Sequence, residues 1–481
     1  MKKILALLLA AIMLVAMCAS CGGSDESDIP TLKVYMPAGT QTDLDLVVAE
    51  ANKIVEKKIG ARMEIQLIDE GAYNEKMNMI MASGEEYDIC FTGYLNKYNN
   101  AVSKGGLMCL DDLLDEVPTL KKQIPDYLWD AVKFEGSIYA VPNEQINATL
   151  TAMFTFKDLA EKYNLDPESI TKQEMIEPYL KAIKENEPNL IPYRANSGYF
   201  QISDDPNFRD FEALTVGFYV EKGDPKCKVF YGFDRPEYKA GAELRSQWVK
   251  KGYMRQDVLS AGDDTMDFKN QKYAVWCSTY KPGVEASYTE QFGGREVIAI
   301  KEFATPYIRQ ANCTSTMLAI GRTSKHPEKA IKLIELLNTD KELYNLISFG
   351  IEGKHYTLDE EGKVKKIANS GYSMAGWKWG CQFNALLTEG MADDVWEETK
   401  KLNEEAERSY LMNFVLDTTP ITTELANFTA VYDEYSYVIE GLDPDYKKDE
   451  KKYRDKLEKV NIDKIIKELQ KQVDAALKAS K

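Results

Sequence analysis

The sequence predicts an α/β protein with two α/β regions and a helical C-terminal part. Strand and helix patterns alternate from Leu32 to Phe91, which is typical of a parallel sheet with crossover helices. A second α/β pattern runs from about residue 150 to 300, and the chain reads as largely helical from Glu389 onward. With 481 residues, the chain is long enough to form two or more compact units, each with a sizeable core.

The first region contains three strand patterns separated by two helix patterns. The strands are predicted at Leu32–Met36, Met63–Ile68 and Asp88–Phe91, and the helices at Asp43–Ile59 and Tyr73–Met81. In sheets of this kind, ligands bind in the loops beyond the carboxyl ends of the strands. We therefore expect ligand contacts in the loops that follow the first and third strands.

The second region and the remainder of the chain continue with mixed patterns. Helices are predicted at Phe156–Tyr163, Lys172–Glu185 and Pro236–Lys251, and strands at Tyr273–Cys277 and Thr316–Ile320. A further helix starts at His326-Pro327 and runs through Asn338. The segment from Val460 to Leu477 carries one apolar stripe, too short for a coiled coil, so we expect a surface helix packed on the body.

The N-terminal residues predict export. Two lysines precede an apolar run from Ile4 to Met17, which is short for a transmembrane span, and small residues follow. Cys21 at the end of this run resembles the cysteine of a bacterial lipobox, where cleavage would leave its thiol to carry a lipid. The alternative is a plain signal peptide with incidental cysteines. We assign residues 1–20 to a signal peptide and 21–30 to a lipid-anchored tether.

Charge and cysteine usage exclude several classes of function. The net charge of −17 disfavours nucleic acid and anionic membrane surfaces as primary partners, so we expect membrane attachment only through the lipid. Apart from Cys18 and Cys21 in the N-terminal segment, six cysteines remain, without metal-ligand spacing. We expect them to be mostly free thiols, with one disulfide possible: Cys90, Cys109, Cys227, Cys277, Cys313 and Cys381. We expect no cofactor and assign no metal-ligand residues. The sequence contains no EF-hand-like loop, and a structural calcium ion stays an open alternative.

Four stretches carry a resemblance to a known family. They are Ala82–Ile89, Gly105–Leu114, Leu128–Pro142 and Ser324–Ala330. In this order and at these intervals they resemble the extracellular solute-binding proteins of family 1, which serve bacterial ABC sugar importers. The resemblance extends over nearly all of the mature chain.

The C-terminal part is similar to one branch of that family, the LipO-type lipoproteins with a helical C-terminal extension. The similarity runs through Gly350–Tyr356, Trp379-Gly380 and Ser409–Pro420. One residue departs from the pattern, because Cys381 follows Gly380 where the branch commonly has asparagine. Any polar contact of that asparagine is therefore in doubt here.

The resemblance implies a periplasmic-binding-protein-like fold, with two α/β lobes joined by a multi-strand hinge. It implies a first lobe over 31–145 with 305–350 returning to it, a second lobe over 146–304 with 351–440, and a C-terminal helical segment over 441–481. It also implies a monomer on the extracellular face of the cell membrane. This protein would hold an oligosaccharide in the cleft, close around it and deliver it to permease subunits.

Sugar recognition needs flat aromatic rings and a few fixed polar groups. Tyr94 and the pair Thr40 and Gln41 follow predicted strands, although Thr40 could only cap a helix. By resemblance, Glu144 occupies a lobe crossing where the family often places a polar ligand contact. Further candidates are polar or aromatic residues near loops and strand ends: Arg194, Tyr199, Trp276 and Tyr280.

The segment Ala375–Gly380 contains two further tryptophans. Trp377 and Trp379 alternate, so on an extended segment they would share one face and form a sugar-binding platform. The alternative for this pair is a hydrophobic clamp, and the alternative for Trp276 is a place in a buried core.

Catalytic motifs are missing from the sequence. The only two histidines, His326 and His355, lie near no nucleophile motif, and no phosphate- or dinucleotide-binding loop occurs. We therefore expect a protein that is not an enzyme. Three alternatives stay open: a lipid-anchored glycan hydrolase with paired carboxylates, a receptor for peptides or another polar nutrient, and a surface adhesin.

Overall fold

The computed structural model describes residues 29–195, 211–255, 257, 264–301 and 305–479. The predicted signal peptide, Cys21 and Tyr199 lie outside these residues. Within them, no helix combines the length and the apolar character that a membrane crossing requires.

A five-stranded sheet forms the centre of the first lobe. Its strands, in spatial order, are Arg62–Ile68, Thr31–Pro37, Ile89–Gly93, Thr316–Ile320 and Val141–Pro142. The first three run parallel, and Thr316–Ile320 is antiparallel to both of its neighbours. The carboxyl ends of the three parallel strands therefore meet at one edge of the sheet.

The helices of the first lobe pack on this sheet through their apolar faces. The helix Leu44–Ile59 buries Val47, Ala51 and Val55, at the four-residue spacing of one helix face, and ends at Gly60 in the left-handed conformation. The other helices of this lobe are Glu70–Ser83, Tyr98–Ser103, Pro118–Gln123, Asp126–Ala131, Gln310–Cys313, Pro327–Thr339 and Lys341–Phe349.

The second lobe has a four-stranded sheet in the order Val297–Ile300, Leu150–Phe156, Tyr273–Tyr280 and Ile191–Tyr193. The first three strands are antiparallel and the last is parallel to its neighbour. Its helices are Lys157–Lys162, Glu177–Asn186, Pro236–Lys251, Thr265–Lys269 and Val284–Gln291. The chain crosses between lobes after Pro142 and again after Ile300.

A third hydrophobic core joins two parts of the chain that are far apart in sequence. It combines the strands Phe211–Thr215, Phe218–Glu221 and Phe230–Tyr231 with the helices Thr422–Glu434, Ser436–Ile439, Tyr446–Leu457 and Ile462–Ala479. The last helix buries Ile465, Leu469 and Val473, which confirms the prediction of a surface helix packed on the body. We call residues 211–238 together with 411–479 the third unit. It is larger than the predicted segment 441–481.

Residues 350–388 pack on the first lobe. Trp379 is buried in the core of that lobe, the Asp43 amide donates to the Gly371 carbonyl (3.1 Å), and Asn384 donates to the Asn338 carbonyl (2.6 Å). This segment includes the short hairpin Tyr356–Leu358 and Val364–Lys366. The contacts thus divide residues 351–440 between the first lobe, a linking helix and the third unit. The sequence-based expectation that they join the second lobe is corrected.

The helix Val395–Glu405, called here the linking helix, holds in place the segment after Pro142, where the chain first crosses between the lobes. Its Asn403 side chain is buried, and its Oδ1 accepts hydrogen bonds from the amides of Asn147 (2.8 Å) and Ala148 (2.9 Å). The Nδ2 of Asn403 donates to the Gln145 carbonyl (2.7 Å). One side chain therefore pairs three backbone groups of the hinge.

Replacing Asn403 by alanine is expected to lower the free energy of unfolding by about 2 kcal/mol or more, because two buried amide groups lose their acceptor. Asn403→Asp keeps the acceptor and loses the donor, so a smaller loss is expected. Urea unfolding measures both changes. Glu405→Ala, at an exposed position of the same helix, is the control. Equal stability of Asn403→Ala and Glu405→Ala would contradict the assigned role.

A buried arginine connects the second lobe to the third unit. Arg245 is 1% exposed, and its Nε donates to the Glu440 backbone carbonyl (2.6 Å). Burial raises the pKa of the Glu440 carboxyl to about 7, although the positive charge of Arg245 opposes this rise. The folded protein therefore holds a proton on Glu440 at pH values where the unfolded chain has lost it.

Stability is expected to fall as pH rises from about 4.5, the ordinary pKa of this carboxyl, to about 7, because the native state binds more protons over that window. Glu440→Gln should remove this contribution, and thermal unfolding from pH 4.5 to 8 measures it. Glu434→Gln, at an exposed position of a neighbouring helix, should keep the wild-type slope. An unchanged slope in Glu440→Gln would exclude this carboxyl as its source.

All six cysteines of the described chain are free thiols. Four are buried, Cys277 is half-buried and Cys109 is exposed. The expectation of mostly free thiols is confirmed, and the disulfide left open by the sequence is not formed among these residues.

Candidate functional site

Two aromatic rings lie together at the carboxyl edge of the first lobe's sheet. The ring centroids of Tyr94 and Trp377 are 6.2 Å apart, with an interplanar angle of 39°. Tyr94 is 48% exposed and rests edge-on against the buried Phe91, while Trp377 is half-buried. We call Tyr94 and Trp377 the aromatic platform. Tyr94 lies in the loop after the third strand, where the sequence predicts ligand contacts.

The backbone before Tyr94 requires glycine. Gly93 has a φ of +139°, and a Cβ atom there would lie 2.1 Å from the Ser315 carbonyl oxygen. The chain can therefore turn out of the strand only without a side chain at this position. This turn brings the Tyr94 ring back over Phe91.

A charged pair supports the aromatic platform. Lys378 is 4% exposed, and its Nζ donates to the Pro37 carbonyl (2.8 Å) and to the Glu70 carboxylate, while lying 5.1 Å from the Trp377 ring centroid. Burial raises the pKa of Tyr94 to about 12, and the charge of Glu70 and a hydrogen bond to it add to this effect. The phenol of Tyr94 is therefore protonated, and Glu70, held by the buried Lys378, offers an exposed carboxylate beside the platform.

Glu70 and Lys378 were not among the predicted site residues. Glu70 begins the helix after the second strand, so the rule that selected the loops after the first and third strands would also have found it. Lys378 carried no such signal, because a lysine between two tryptophans gives no indication of burial.

The loop after the first strand lies beside a smaller cavity of about 430 Å³. Gln41 accepts a hydrogen bond from the Ser373 amide (2.7 Å), and Thr40 is exposed. Thr40 does not cap the following helix, because Asp43 occupies the N-cap position. Both predicted residues line this cavity, together with the loop 366–373.

Asp43 ties that loop to the body of the lobe. Its carboxylate contacts Lys354 Nζ (2.7 Å) and His355 Nε2 (3.1 Å), and these hydrogen bonds hold its pKa below the ordinary value. His355 Nδ1 accepts from the Ile351 amide (2.8 Å), so Nε2 carries the proton that is donated to Asp43. His355 therefore has a structural role in this lobe.

The predicted pairing of Trp377 with Trp379 is wrong. Gly376–Lys378 forms a 3-10 turn in place of an extended segment, so alternate residues do not share a face. Trp379 is 1% exposed and packs in the core of the first lobe. The ring that neighbours Trp377 at the platform is Tyr94, which is distant in sequence.

Trp276 is also buried, which corrects its expected place at the cleft. The strand runs on to Tyr280, so Trp276 lies in its interior and not at its end. It is 1% exposed, and five aromatic rings surround it at centroid distances of 5.3 to 6.0 Å: Phe154, Phe156, Phe268, Tyr288 and Phe292. This residue belongs to the core of the second lobe.

Tyr280 occupies the strand end that was expected for Trp276. It pairs with Leu150, the first residue of the strand that enters the second lobe, and Lys301 Nζ lies 4.7 Å from its ring centroid. Partial desolvation by nearby groups lowers the pKa of the neighbouring, exposed Lys281, and burial raises the pKa of the half-buried Glu285. These residues form a partly desolvated polar and aromatic surface where the second lobe meets the hinge.

Arg194 is held inside the second lobe. Its guanidinium makes two hydrogen bonds to the Asp264 carboxylate (2.8 and 2.5 Å) and lies 4.1 Å from the Phe268 ring centroid. Its charge and its flat face are both engaged, so the geometry gives this candidate a packing role.

Glu144 lines a different cavity, of about 570 Å³, beside the first lobe crossing. Its Oε2 accepts from Gln123 Nε2 (3.3 Å) and from the Cys381 thiol (3.4 Å). Burial raises the pKa of Cys381 to about 12, so this thiol stays protonated and can donate. Cys381 thus makes a polar contact in place of the asparagine common in the similar branch. We call this space the hinge cavity.

The described part of the chain contains no group of three or more His, Cys, Asp or Glu side chains arranged to hold a metal ion. The aromatic platform with Glu70 and Lys378 combines aromatic rings with hydrogen-bonding groups. Such a surface fits a neutral, hydroxyl-rich ligand.

The sequence profile of the bacterial extracellular solute-binding proteins matches residues 40–343. The chain belongs to this family. Residues 410–478, most of which lie in the third unit, match a domain of unknown function, DUF3502. A carbohydrate ABC transporter substrate-binding protein of Streptococcus pneumoniae is 30% identical over 98% of this chain and 97% of its own length.

Solved structures similar to this chain include an N-glycan transport solute-binding protein of S. pneumoniae, NgtS. It is 27% identical, and the match covers 94% of this chain and all of NgtS with a TM-score of 0.84. An extracellular solute-binding protein of Bifidobacterium longum subsp. infantis has a TM-score of 0.67 at 18% identity, over 95% of this chain and all of that chain. These likenesses confirm the predicted periplasmic-binding-protein-like fold. The assignment to the LipO-type branch stays a prediction.

Two further NgtS structures contain glycans. Against the complexes with Man1GlcNAc and Man5GlcNAc, the TM-scores fall to 0.71 and 0.67, compared with 0.84 for the first NgtS structure. Since NgtS is the same protein in all three, its arrangement differs between these structures. The present chain is closer to the first arrangement.

Proposed function

We propose that this protein captures an oligosaccharide of the mannose–N-acetylglucosamine type between its lobes and delivers it to the permease of a carbohydrate ABC importer. The observation that carries this proposal is the aromatic platform with its charged support at the carboxyl edge of the first lobe. The sugar class follows from NgtS, which was solved with Man1GlcNAc and Man5GlcNAc.

The platform has the chemistry that a pyranose needs. The exposed faces of Tyr94 and Trp377 cover the C–H face of a sugar ring, and the exposed Glu70 carboxylate lies beside them to accept from hydroxyls, held there by the buried Lys378. Lys378 already donates to a carbonyl and a carboxylate, so its position is fixed before ligand arrives. A fixed group lowers the entropy that binding costs.

The second wall of the proposed site comes from the other lobe. Tyr280, Lys281 and Glu285 lie where that lobe meets the hinge, and Tyr280 offers a further ring. Closure about the crossings after Pro142 and Ile300 would bring this surface towards the platform. The difference between the NgtS arrangements supports such a movement, with ligand favouring the closed population.

We also propose that the protein is a monomer attached to the extracellular face of the membrane through a lipid on Cys21. The basic start, the apolar run and the small residues before Cys21 support this anchor. Cys21→Ala should release the protein into the medium. Cys18→Ala is the matched control and should stay with the cells. If both variants stay cell-bound, the lipid site is wrong.

Calorimetric titration of the chain from Gly22 with Man5GlcNAc tests the capture function. We expect binding at one site, with maltopentaose and a pentapeptide as controls that give no heat beyond dilution. Binding of maltopentaose alone would keep sugar capture and overturn the glycan class. Binding of the peptide alone would overturn sugar capture. Man5GlcNAc recovered shortened after incubation would show that the protein is an enzyme.

A further inference from the structure

The hinge cavity has a concentration of positive charge that glycan capture does not use. Lys341, Lys400 and Arg408 all line it, and none of them has a carboxylate oxygen within 4.0 Å in the described chain. The protein as a whole has a net charge of −17. All three side chains are exposed to solvent at the cavity, and Glu144 and Glu404 also line it, which leaves one net positive charge in the lining. This local excess of positive charge favours an anionic occupant.

Aromatic rings hold two of these cations at the cavity wall. The Arg408 guanidinium lies 4.5 Å from the Tyr127 ring centroid, and Lys400 Nζ lies 5.0 Å from that of Phe383. A cation over a ring face is attracted without being neutralised, so its charge remains available to a ligand. Guanidinium and ammonium groups at fixed positions are the usual partners of carboxylate and phosphate oxygens.

Polar groups line the rest of the cavity. Two acidic residues, Glu144 and Glu404, lie in the lining with the three cations, and Glu144 accepts from the neutral groups Gln123 Nε2 and Cys381 Sγ. The amides of Gln123 and Asn384 stand at the wall and can take part in hydroxyl recognition. A volume of about 570 Å³ lies within the range of about 300–1,000 Å³ found for small-molecule sites.

The hinge cavity is separate from the aromatic platform. None of the platform residues lines it, and Asn143 lies between the two, donating to the Trp377 carbonyl (3.2 Å) and accepting from the Gly380 amide (3.1 Å). On the linking helix, Glu398 acts electrostatically on Tyr280, whereas Lys400 lines the cavity. Glu398 and Lys400 are two positions apart, which corresponds to about 200° around a helix. The hinge cavity and the second lobe's surface therefore lie on opposite sides of the linking helix.

We infer that the hinge cavity is a second binding site, for a small hydroxylated anion such as a sugar acid or a sugar phosphate. Lys341, Lys400 and Arg408 hold its oxyanion, and the amide side chains of the wall contact its hydroxyls. The ligand would bridge the linking helix to the first lobe, next to the crossing that Asn403 holds.

Calorimetry on the chain from Gly22 tests this site with glucuronate and glucose 6-phosphate, in a buffer of low ionic strength. At least one of them should bind at a single site, and which one distinguishes a carboxylate from a phosphate. Neutral glucose should not bind. Lys400→Gln should raise the dissociation constant of the anion by about tenfold or more. Lys401→Gln, at the next and likewise exposed position, should raise it by less than about twofold.

Three further measurements separate this site from its alternatives. Trp377→Ala should bind the anion as the wild type does, and Lys400→Gln should keep wild-type affinity for Man5GlcNAc, so this inference and the proposed function can fail independently. Arg408→Gln repeats the test if Lys400→Gln does not fold. The inference is overturned if neither anion binds, if Lys401→Gln weakens binding as much as Lys400→Gln, if Trp377→Ala abolishes it, or if inorganic phosphate binds as tightly as the sugar anion.

Discussion

Replacing Trp377 by alanine is expected to weaken binding of Man5GlcNAc by about 2 kcal/mol or more, roughly 30-fold, as measured by calorimetric titration. The physical reason is that the ring supplies a flat apolar face beside Tyr94, which alanine lacks. Trp377→Phe keeps part of that face, so an intermediate loss is expected. The fold should survive, because Trp377 is only half-buried.

Tyrosine offers a closely matched control for the same surface. Tyr94 and Tyr410 are 48% and 50% exposed, and only Tyr94 lies at the platform. Tyr94→Ala should reduce glycan affinity, whereas Tyr410→Ala should leave it unchanged. If Trp377→Ala and Tyr94→Ala both bind the glycan as the wild type does, the platform is not the sugar site.

Replacing Trp276 by alanine is expected to lower the free energy of unfolding by about 3–5 kcal/mol, because the change opens a cavity among five aromatic rings of a close-packed core. The affinity of the folded protein for Man5GlcNAc should not change. Denaturant unfolding and calorimetry on the same preparation measure the two quantities. Trp276→Ala should therefore lower stability and leave glycan affinity unchanged, whereas Trp377→Ala should lower glycan affinity and leave the fold intact.

A milder variant tests the same position if Trp276→Ala does not fold. The Trp276 Nε1 is buried and has no hydrogen-bond partner among the described residues, so Trp276→Phe loses volume but none of the described hydrogen bonds, and a smaller destabilisation is expected. Met266→Ala, at a side chain that is 65% exposed, is the control for stability. A Trp276→Phe variant that keeps its stability and loses glycan binding would indicate that Trp276 contacts the glycan, as the sequence first predicted.

The pattern of strands and helices could be predicted from the sequence because local periodicity reports it. The three strands and two helices of the first region occur where predicted, and the rule on strand carboxyl ends selected Tyr94. The rule failed for Trp276 because the strand continues three residues beyond Cys277. Trp276 therefore lies in the interior of the strand and not at its predicted end. An error of a few residues at a boundary therefore changed a predicted ligand contact into a core residue.

Contacts between distant segments could not be predicted. Tyr94 and Trp377 are brought together only when the segment after residue 350 packs on the first lobe, and Lys378 is buried by the same packing. The third unit was not predicted for the same reason. Its two parts, residues 211–238 and 411–479, are separated in sequence by the segment that returns to the first lobe. In both cases the sequence contains suitable residues, and the tertiary structure decides which of them meet.

Small-angle X-ray scattering of the chain from Gly22, with and without Man5GlcNAc at a concentration that saturates the calorimetric site, tests the proposed capture by lobe closure most directly. The account predicts a smaller radius of gyration in the presence of the glycan, because Tyr280 and its neighbours move towards the aromatic platform. Maltopentaose should leave the radius unchanged. Saturating Man5GlcNAc with no compaction would contradict closure of the two lobes around the sugar.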